Sequence, residues 1–271
     1  MDLFSITGKV VLITGGGGVL GSSMAEYLLK NEATLIILDR REETVDTAIS
    51  RLKKISDKVS GFACNVLDEK SLTSVANEIM ARYGKIDVLI NAAGGNMPGA
   101  TIGVDQTIFD VDIDHFKKVV DLNLFGSILP SLIFGKEMVK HKKGAIINIS
   151  SMTAQSAITR VVGYSASKAA IDNYTKWLAV ELALKFGEGL RVNAIAPGFF
   201  IGNQNRDLLI NKEDGSYTER GDTIIRNTPM KRFGEADELN GSIHYLCSDA
   251  SKFVTGTVLP IDGGFSAFSG V

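Results

Sequence analysis

The segment of residues 9–29 constrains the fold more than any other part of the chain. Residues 9–14 form a short apolar run typical of a buried strand, and the run ends at four consecutive glycines, residues 15–18. Residues 19–29 then show the apolar spacing of a helix. A strand, a glycine turn and a helix in this order present backbone N–H groups to a pyrophosphate, and glycine removes the Cβ that would stand in the way. The sequence therefore predicts a dinucleotide-binding unit near residue 15.

The same two patterns alternate along the rest of the chain. Further strands are predicted at residues 34–39, 59–63, 86–90, 145–149, 190–195 and 258–262. Helices are predicted at residues 69–82, 114–141 and 235–248, and from the segment around Tyr164 to about residue 186. Such alternation predicts a parallel sheet with helices on both faces. We therefore expect one α/β domain over residues 1–271, a Rossmann-type doubly wound sheet whose core is supplied by a 45% hydrophobic chain.

Five residues of chemical interest come directly after predicted strands: Gly15, Asp39, Asn91, Ser151 and Pro197. Ligands of such sheets bind beyond the carboxyl ends of the strands, so these residues should share one edge. A carboxylate at Asp39, 18 positions after Gly21, can accept both ribose hydroxyls of NAD and would repel the 2′-phosphate of NADP. Arg40 and Arg41 beside it keep NADP open as the less favoured cofactor.

Tyr164 and Lys168 are the residues that indicate catalysis. They lie one turn apart on one face of a predicted helix, and Ser151 precedes the tyrosine by 13 positions. A phenol has an ordinary pKa of about 10, and a nearby ammonium group should lower that pKa toward the working range. A serine hydroxyl can hold a carbonyl or alcohol oxygen against the phenol. The three side chains predict proton transfer between a carbonyl and an alcohol, although a Tyr-x-x-x-Lys spacing alone is more often structural.

Composition and charge exclude several classes of function. A formal net charge of −2 gives no general basicity, which argues against nucleic acid as a partner. Cys64 and Cys247 form neither a disulfide framework nor a metal-ligand spacing, and the three histidines are isolated, so no metal site is expected. The first residues lack a signal-peptide pattern, and no apolar run is expected to approach the length of a membrane span. The sequence predicts a soluble, cytoplasmic globular protein that binds no membrane.

Motifs over essentially the whole chain resemble those of the short-chain dehydrogenase/reductase family. The matching residues are Thr14-Gly15 with Gly21, Asn91-Ala-Ala-Gly94, Asn123, Ser151, Tyr164-x-x-x-Lys168, Pro197-Gly198 and Asp262-Gly-Gly264. The resemblance implies a Rossmann-type fold and NAD(P)-dependent oxidoreduction. It implies that Tyr164 is the acid and base and that Ser151 orients the substrate oxygen. Lys168 would hold the nicotinamide ribose, and Asn123 would keep a helix bend with a water chain to solvent.

The resemblance also implies the cofactor contacts. They are Gly15, Gly17, Gly18, Leu20, Gly21, Asp39, Asn65, Val66, Asn91, Ala92, Gly94, Tyr164, Lys168, Pro197 and Gly198. Three positions depart from the family pattern. Val19 replaces the middle glycine of the turn, Asn65 replaces an aspartate near the adenine, and Gly202 replaces a threonine near the carboxamide. These departures affect the cofactor contacts and leave the serine, tyrosine and lysine intact.

A finer resemblance concerns the substrate. Residues 14–21, 197–206 and 263–271 are similar to those of the D-mannonate oxidoreductase (fructuronate reductase) branch of the family. That branch implies oxidation of the C5 hydroxyl of D-mannonate by NAD, or the reverse. Besides Ser151 and Tyr164, the candidate substrate-binding residues are Asn96, Arg160, Asn203 and Arg206. Amides suit sugar hydroxyls and arginine binds a carboxylate bidentately, but both arginines could equally be solvated surface charges.

Two alternative functions stay open on the sequence. One is a short-chain reductase for another polyol or keto sugar acid of the gluconate type. The other is a non-catalytic NAD-binding sensor, which would have no need of all three of Ser151, Tyr164 and Lys168.

Residues 199–232 break the alternation of strands and helices. They are polar, carry a turn signal at 213–216, and are predicted to form a substrate lid, with a solvated surface insertion as the alternative. The apolar tail at 263–271 and the helix around Trp177 are candidate subunit interfaces, and the family resemblance implies a homotetramer.

Overall fold

The computed structural model describes residues 2–202 and 205–270. Within these residues, seven parallel strands form one sheet in the order β3-β2-β1-β4-β5-β6-β7. The strands are β1 (Val10–Thr14), β2 (Thr34–Asp39), β3 (Val59–Ala63), β4 (Val88–Asn91), β5 (Gly144–Ile149), β6 (Leu190–Pro197) and β7 (Val258–Ile261). The α-helices are α1 (Val19–Lys30), α2 (Glu42–Leu52), α3 (Glu69–Tyr83), α4 (Ile113–Val120), α5 (Gly126–Met138), α6 (Val162–Phe186), α7 (Arg206–Leu209), α8 (Glu219–Asn227) and α9 (Asn240–Cys247). The predicted Rossmann-type doubly wound sheet is confirmed.

The central strands are buried on both faces because their side chains alternate between two apolar clusters. In β1, Val11 and Ile13 join the cluster that packs against α1 and α9. Val10 and Leu12 join the cluster on the other face, with α3, α5 and α6. This alternation with a period of two residues is what a parallel sheet covered on both sides requires. The chain order reverses between β1 and β4, so the crevice beyond their carboxyl ends is the expected ligand position.

Helix α2 is an element that the sequence analysis did not predict. Its buried residues, Val45, Ala48 and Leu52, are spaced three and four positions apart, as helical packing requires. The remaining positions are mostly polar, so the apolar stripe is narrow. Packing against β2 and β3 stabilises the helix more than the composition of the segment suggests.

The helix predicted at residues 114–141 is interrupted. A π-helical turn, Asp121–Phe125, separates α4 from α5 and holds Asn123 at its centre. Single π-turns of this kind are frequent at functional sites. The irregularity includes Asn123, the residue at which the family resemblance implied a helix bend.

The same helical run meets the length and hydropathy criteria for crossing a membrane. Ile113–His141 has 29 residues with a mean hydropathy of 1.3 in its most apolar stretch, and 44% of that stretch is buried inside the protein. The expectation that no run approaches such a length is therefore wrong. The buried residues, among them Phe134 and Met138, belong to the core on one face of the sheet. A helix packed in a protein core and a helix that spans a membrane can share this apolar composition.

The described residues of the segment 199–232, namely 199–202 and 205–232, fold into a small unit beside the sheet. Phe200 and Gly234 form a parallel bridge where the chain enters and leaves this unit. Its apolar side chains form a cluster separate from the two main clusters, made of Leu209, Ile210, Ile224 and Phe233. The segment thus has packing of its own, and besides the bridge a hydrogen bond from the Met230 N–H to the Gly263 carbonyl oxygen (3.1 Å) joins it to the chain after β7.

Candidate active site

The glycine turn leaves the N-terminus of α1 open. The Gly18 N–H donates to the Gly15 carbonyl oxygen (3.1 Å), and Ser22 Oγ donates to the Gly16 carbonyl oxygen (3.2 Å). No side chain caps the first turn of the helix. Among the described residues, the N–H groups of residues 19–21 have no carbonyl acceptor in the preceding turn. These groups and the helix dipole can receive a pyrophosphate, and the turn forms with Val19 in place of the family's middle glycine.

Asp39 lies against this turn at the end of β2. A Cβ added to Gly17 would stand 3.0 Å from Asp39 Oδ2, so a side chain there would fill the space between the carboxylate and the turn. Asp39 Oδ1 accepts a hydrogen bond from the Arg40 N–H (2.8 Å). The second oxygen faces the position that a ribose beside the pyrophosphate would take.

A cavity of about 230 Å³ adjoins Gly17 on the outer side of the turn. Its polar lining includes Arg41 and Arg51, the carboxylate of Glu43, and Thr44 and Thr47. Guanidinium groups at this position could neutralise a phosphate. If the cofactor were NADP, these arginines would be the groups placed to bind its 2′-phosphate.

Thr14 joins the ends of the two strands that flank the crevice. Its Oγ1 accepts hydrogen bonds from the N–H groups of Ala92 and Ala93, each at 3.1 Å. The chain after β4 is thereby held beside the glycine turn. In the sequence, Thr14 is part of the motif shared with the family and has no predicted role of its own.

Asn91 turns its side chain away from the crevice and into the core. Its Nδ2 donates to Ser131 Oγ (2.8 Å) and to Asn148 Oδ1 (2.9 Å), and Asn148 Nδ2 donates to Thr175 Oγ1 (2.9 Å). This buried network ties β4 and β5 to helices α5 and α6. The predicted cofactor contact of Asn91 can therefore involve only its main chain.

The other predicted cofactor residues lie along the same edge. Asn65 is exposed after β3, and its Oδ1 accepts a hydrogen bond from the Leu67 N–H (3.1 Å), which leaves its NH2 group for an adenine. Val66 beside it is buried. Pro197 and Gly198 end β6, where the Gly198 N–H donates to the Ile261 carbonyl oxygen (2.9 Å).

Asn123 fixes the chain beside Lys168. Its Oδ1 accepts from the Gly95 N–H (3.0 Å), and its Nδ2 donates to the carbonyl oxygens of Gly95 (2.7 Å) and Val119 (2.8 Å). A Cβ on Gly94 would stand 2.7 Å from Asn123 Oδ1 and 3.4 Å from Lys168 Nζ. The π-turn thus presents the amide to the loop after β4, and the loop passes directly over the lysine.

Lys168 is a buried cation. Its Nζ donates to the Ile149 carbonyl oxygen (2.7 Å) at the end of β5 and lies 5.4 Å from the centroid of the Tyr164 ring. Burial lowers the pKa of Lys168 to about 8, and the carboxylate of Asp172 opposes that shift. The lysine is therefore mostly protonated at neutral pH.

Ser151 follows β5 and Tyr164 lies in the first turn of α6, and their side chains come within hydrogen-bonding reach of one another. Burial raises the pKa of Tyr164 above its ordinary value, and a side-chain hydrogen bond with Ser151 opposes this by less. The structure thus differs from the expectation that Lys168 lowers the pKa of Tyr164, because burial of the phenol outweighs the other effects. A phenol protonated at neutral pH is the form needed to donate a proton to an alkoxide.

The predicted substrate-binding residues do not all lie together. Asn96 Nδ2 donates to Thr101 Oγ1 (2.8 Å), while its Oδ1 is buried without a hydrogen-bond partner among the described residues. Arg160 is partly buried in the connection between β5 and α6. Arg206 is exposed at the start of α7. Asn203 lies outside the described residues.

Two further polar residues adjoin these elements and escaped the sequence analysis. Asp172 on α6 accepts a hydrogen bond from Ser150 Oγ and raises the pKa of Lys168. Arg220 on α8 contacts Thr159, the neighbour of Arg160. No local pattern indicates either role, since both depend on contacts between distant segments. In the ranges 2–202 and 205–270, no group of three or more His, Cys, Asp or Glu side chains could hold a metal ion.

Comparison with known proteins agrees with this arrangement. A family model described as enoyl-(acyl carrier protein) reductase matches residues 18–266. The UxuB oxidoreductase of Bacillus subtilis (strain 168), whose function is uncharacterized, is 45% identical over 276 residues, covering 98% of each chain.

Two solved structures are informative about ligands. One, a candidate D-mannonate oxidoreductase from Haemophilus influenza with bound NAD, is 43% identical with a TM-score of 0.91 over 98% of each chain. The other is a gluconate 5-dehydrogenase from Burkholderia cenocepacia J2315 in complex with NADP and tartrate. It is 30% identical with a TM-score of 0.87 over 98% of each chain.

The family model and these relatives extend over nearly the whole chain. Hydride transfer with a nicotinamide dinucleotide needs a site for the cofactor and groups that handle the proton. The structure supplies both, with the open glycine turn and Asp39 for the first and Ser151 and Tyr164 for the second. The chain therefore belongs to the short-chain dehydrogenase/reductase family and is an NAD(P)-dependent oxidoreductase that acts on CH–OH groups.

Proposed function

We propose that this enzyme interconverts D-mannonate and D-fructuronate, with NAD(H) as the cofactor. The observation that carries the proposal is a pair of polar side chains, Asn96 and Arg160, on the connections that follow β4 and β5. Asn96 offers a buried amide oxygen that has no partner among the described residues, and Arg160 offers a cation. Hydroxyl groups and a carboxylate match these two groups. The similarity to the NAD-bound candidate D-mannonate oxidoreductase supports the choice of substrate.

The side chains of the site perform the proton transfer. In the reductive direction Tyr164 donates its phenolic proton to the oxygen that forms at C5, and the Ser151 hydroxyl donates a hydrogen bond to the same oxygen. Bound NADH supplies the hydride for this reduction. Lys168 keeps a positive charge beside the phenol, and Asn123 holds the loop at Gly95 that borders the lysine. The raised pKa of Tyr164 keeps the donor protonated at neutral pH.

The proposal is tested by a substrate panel. NADH oxidation is measured with D-fructuronate, 5-ketogluconate and a simple ketone, and each measurement is repeated with NADPH. We expect D-fructuronate with NADH to give the highest kcat/KM. Faster turnover of 5-ketogluconate would instead favour the gluconate-type reductase, which the similarity to the NADP-bound gluconate 5-dehydrogenase supports. NADH binding without turnover of any panel member would favour the sensor.

Asp39 is proposed to select NAD over NADP. Replacing Asp39 with Asn removes the negative charge that accepts the ribose hydroxyls and repels a 2′-phosphate, while Arg41 and Arg51 stay in place. We expect the ratio of kcat/KM for NADH to that for NADPH to fall roughly 10- to 100-fold, as the loss of a charged hydrogen bond implies. Steady-state kinetics with both cofactors measure it. Asp46→Asn, at an exposed position of α2, is the matched control and should leave the ratio unchanged.

The segment of residues 199–232 is proposed to act as the substrate lid. The bridge between Phe200 and Gly234 gives it two adjacent attachment points, and its separate apolar cluster lets it move as a unit. Helix α8 in this segment approaches the connection that carries Arg160, through contacts with Thr159.

We propose a cytoplasmic homotetramer from the family resemblance, from the state of the two cysteines and from one exposed apolar face. Cys64 and Cys247 are both free and buried, as suits a reducing compartment. Helix α6 exposes Trp177, Val180 and Leu184 to 60%, 59% and 77%. An apolar face of this size is typical of a subunit interface.

A further inference from the structure

Two arginines from separate elements meet beside the proposed substrate site. Arg160 precedes α6 by two residues, and Arg220 lies in the first turn of α8 in the lid. Arg220 Nη1 donates to Thr159 Oγ1 (3.3 Å), and its Nη2 donates to the Thr159 carbonyl oxygen (3.4 Å). The lid guanidinium therefore sits on the residue immediately before Arg160.

Arg160 is held in an uncommon conformation. Its φ of 77° lies in the left-handed region, which a side chain with a Cβ adopts at a cost. Arg160 Nε donates to the Ile102 carbonyl oxygen (2.6 Å), and the Ile102 N–H donates to the Arg160 carbonyl oxygen (3.0 Å). The loop after β4 thus fixes both the backbone and the stem of the guanidinium. Its two Nη groups donate to none of the described residues.

The two positive charges lack a counter-ion within the described part of the chain. Neither arginine forms an ion pair with an aspartate or glutamate there. Both are partly buried, and burial, followed by the charge of Arg160, lowers the pKa of Arg220. Two neighbouring cations repel one another when partly shielded from water. An anion that accepts hydrogen bonds from both would remove this repulsion.

We propose that Arg160 and Arg220 together bind the carboxylate of the substrate, so that the negative charge of the substrate draws the lid onto the site. The proposal rests on the proposed function, since it concerns the recognition of a sugar acid. Arg160 precedes Tyr164 by four residues, and in D-mannonate the carboxylate lies near the opposite end of the carbon chain from C5. A substrate with its C5 oxygen at Tyr164 would extend its carboxylate toward the arginine pair. This assigns to Arg220 the role that the sequence analysis gave to Arg206.

The experiment compares an acid with its neutral analogue in a set of single-residue variants. D-fructose has a hydroxymethyl group where D-fructuronate has the carboxylate and is otherwise the same ketose. NADH oxidation with both ketoses is measured for the wild type and for Arg160→Gln, Arg220→Gln, Arg206→Gln and Arg226→Gln. Arg226 lies on α8 as well, is exposed, and donates to Thr223 within the helix, so it is the matched control.

We expect Arg160→Gln and Arg220→Gln each to lower kcat/KM for D-fructuronate roughly 10- to 100-fold, mainly through KM, with little change for D-fructose. Arg220→Lys should recover part of the loss, because it keeps the charge without the bidentate geometry. Equal losses of kcat/KM on both ketoses would show that Arg220 only positions the lid, and would overturn the proposal. An Arg220→Gln enzyme with unchanged kcat/KM for D-fructuronate would overturn it as well. So would a loss that is selective for D-fructuronate and confined to Arg206→Gln.

A binding measurement keeps this test separate from the proposed function. Calorimetric titration with D-mannonate and D-mannitol, in the presence of NADH, reports recognition of the acid without turnover, because the reduced cofactor cannot accept a hydride from an alcohol. If the wild type fails to reduce D-fructuronate but binds D-mannonate in preference to mannitol, and Arg220→Gln abolishes that preference, the arginine pair stands and the proposed reaction falls. If the wild type reduces D-fructuronate and the Arg220→Gln enzyme keeps the same preference for the acid, the proposed reaction is supported and the arginine pair is rejected. Absence of any preference for the acid in the wild type would also reject the pair.

Discussion

Replacing Tyr164 with Phe is expected to lower kcat about 1,000-fold, with the dissociation constant of NADH changed less than about twofold. The variant loses one oxygen atom, the one whose proton has to reach the developing alkoxide. A loss of this size corresponds to about 4 kcal/mol of transition-state stabilisation. The ring that packs near Lys168 stays in place, so the cofactor site should be intact. Single-turnover kinetics with D-fructuronate and NADH fluorescence titration measure the two quantities.

Tyr174→Phe is the matched control for that variant. Tyr174 lies on the same helix, its hydroxyl is also buried, and burial raises its pKa to about 12. It faces the core beside the buried network, so its removal should leave kcat within about twofold. Comparable losses in both variants would indicate that the deletion damages α6, and full activity in Tyr164→Phe would remove Tyr164 from the chemistry.

The sheet and the serine, tyrosine and lysine positions could be predicted from the sequence because they depend on local patterns. Strand β2 ends at Asp39 and β5 ends before Ser151, as the apolar runs indicate. Parallel pairing then brings the strand ends to one edge without further information. The family resemblance added Asn123, which the π-turn places against Gly95.

What could not be predicted depends on the direction of side chains and on contacts between distant segments. Asn91 ends a strand at the site edge, yet its amide turns inward to Ser131 and Asn148. The pKa of Tyr164 is raised because burial outweighs its polar neighbours, and burial is not visible in the spacing of two residues. Arg220 approaches Arg160 across a separation of 60 positions, through the fold of the lid. The last of these, the approach of Arg220 to Arg160, is the feature on which the proposed carboxylate site depends.

Replacing Lys168 with Met is expected to lower kcat/KM about 100-fold while it raises the free energy of unfolding at pH 7. The ammonium group is almost completely buried, and its pKa of about 8 in the folded protein compares with an ordinary value of 10.5. That difference corresponds to a cost of roughly 3 kcal/mol for keeping the charge in the folded state. Loss of the hydrogen bond to Ile149 offsets about 1 kcal/mol of the gain. A net increase of roughly 2 kcal/mol is therefore expected from urea denaturation at pH 7.

The dependence of this difference on pH identifies its cause. Between pH 8 and 10.5 the unfolded wild type binds more protons at Lys168 than the folded form, so this residue makes stability rise with pH across that window. Other groups that titrate there are common to both proteins. The stability advantage of Lys168→Met should therefore be largest below pH 8 and shrink toward pH 10.5. Lys176→Met, an exposed position two turns further along α6, should show neither the advantage nor the activity loss. An advantage that stays constant with pH would mean that packing of the methionine, and not relief of the buried charge, stabilises the variant.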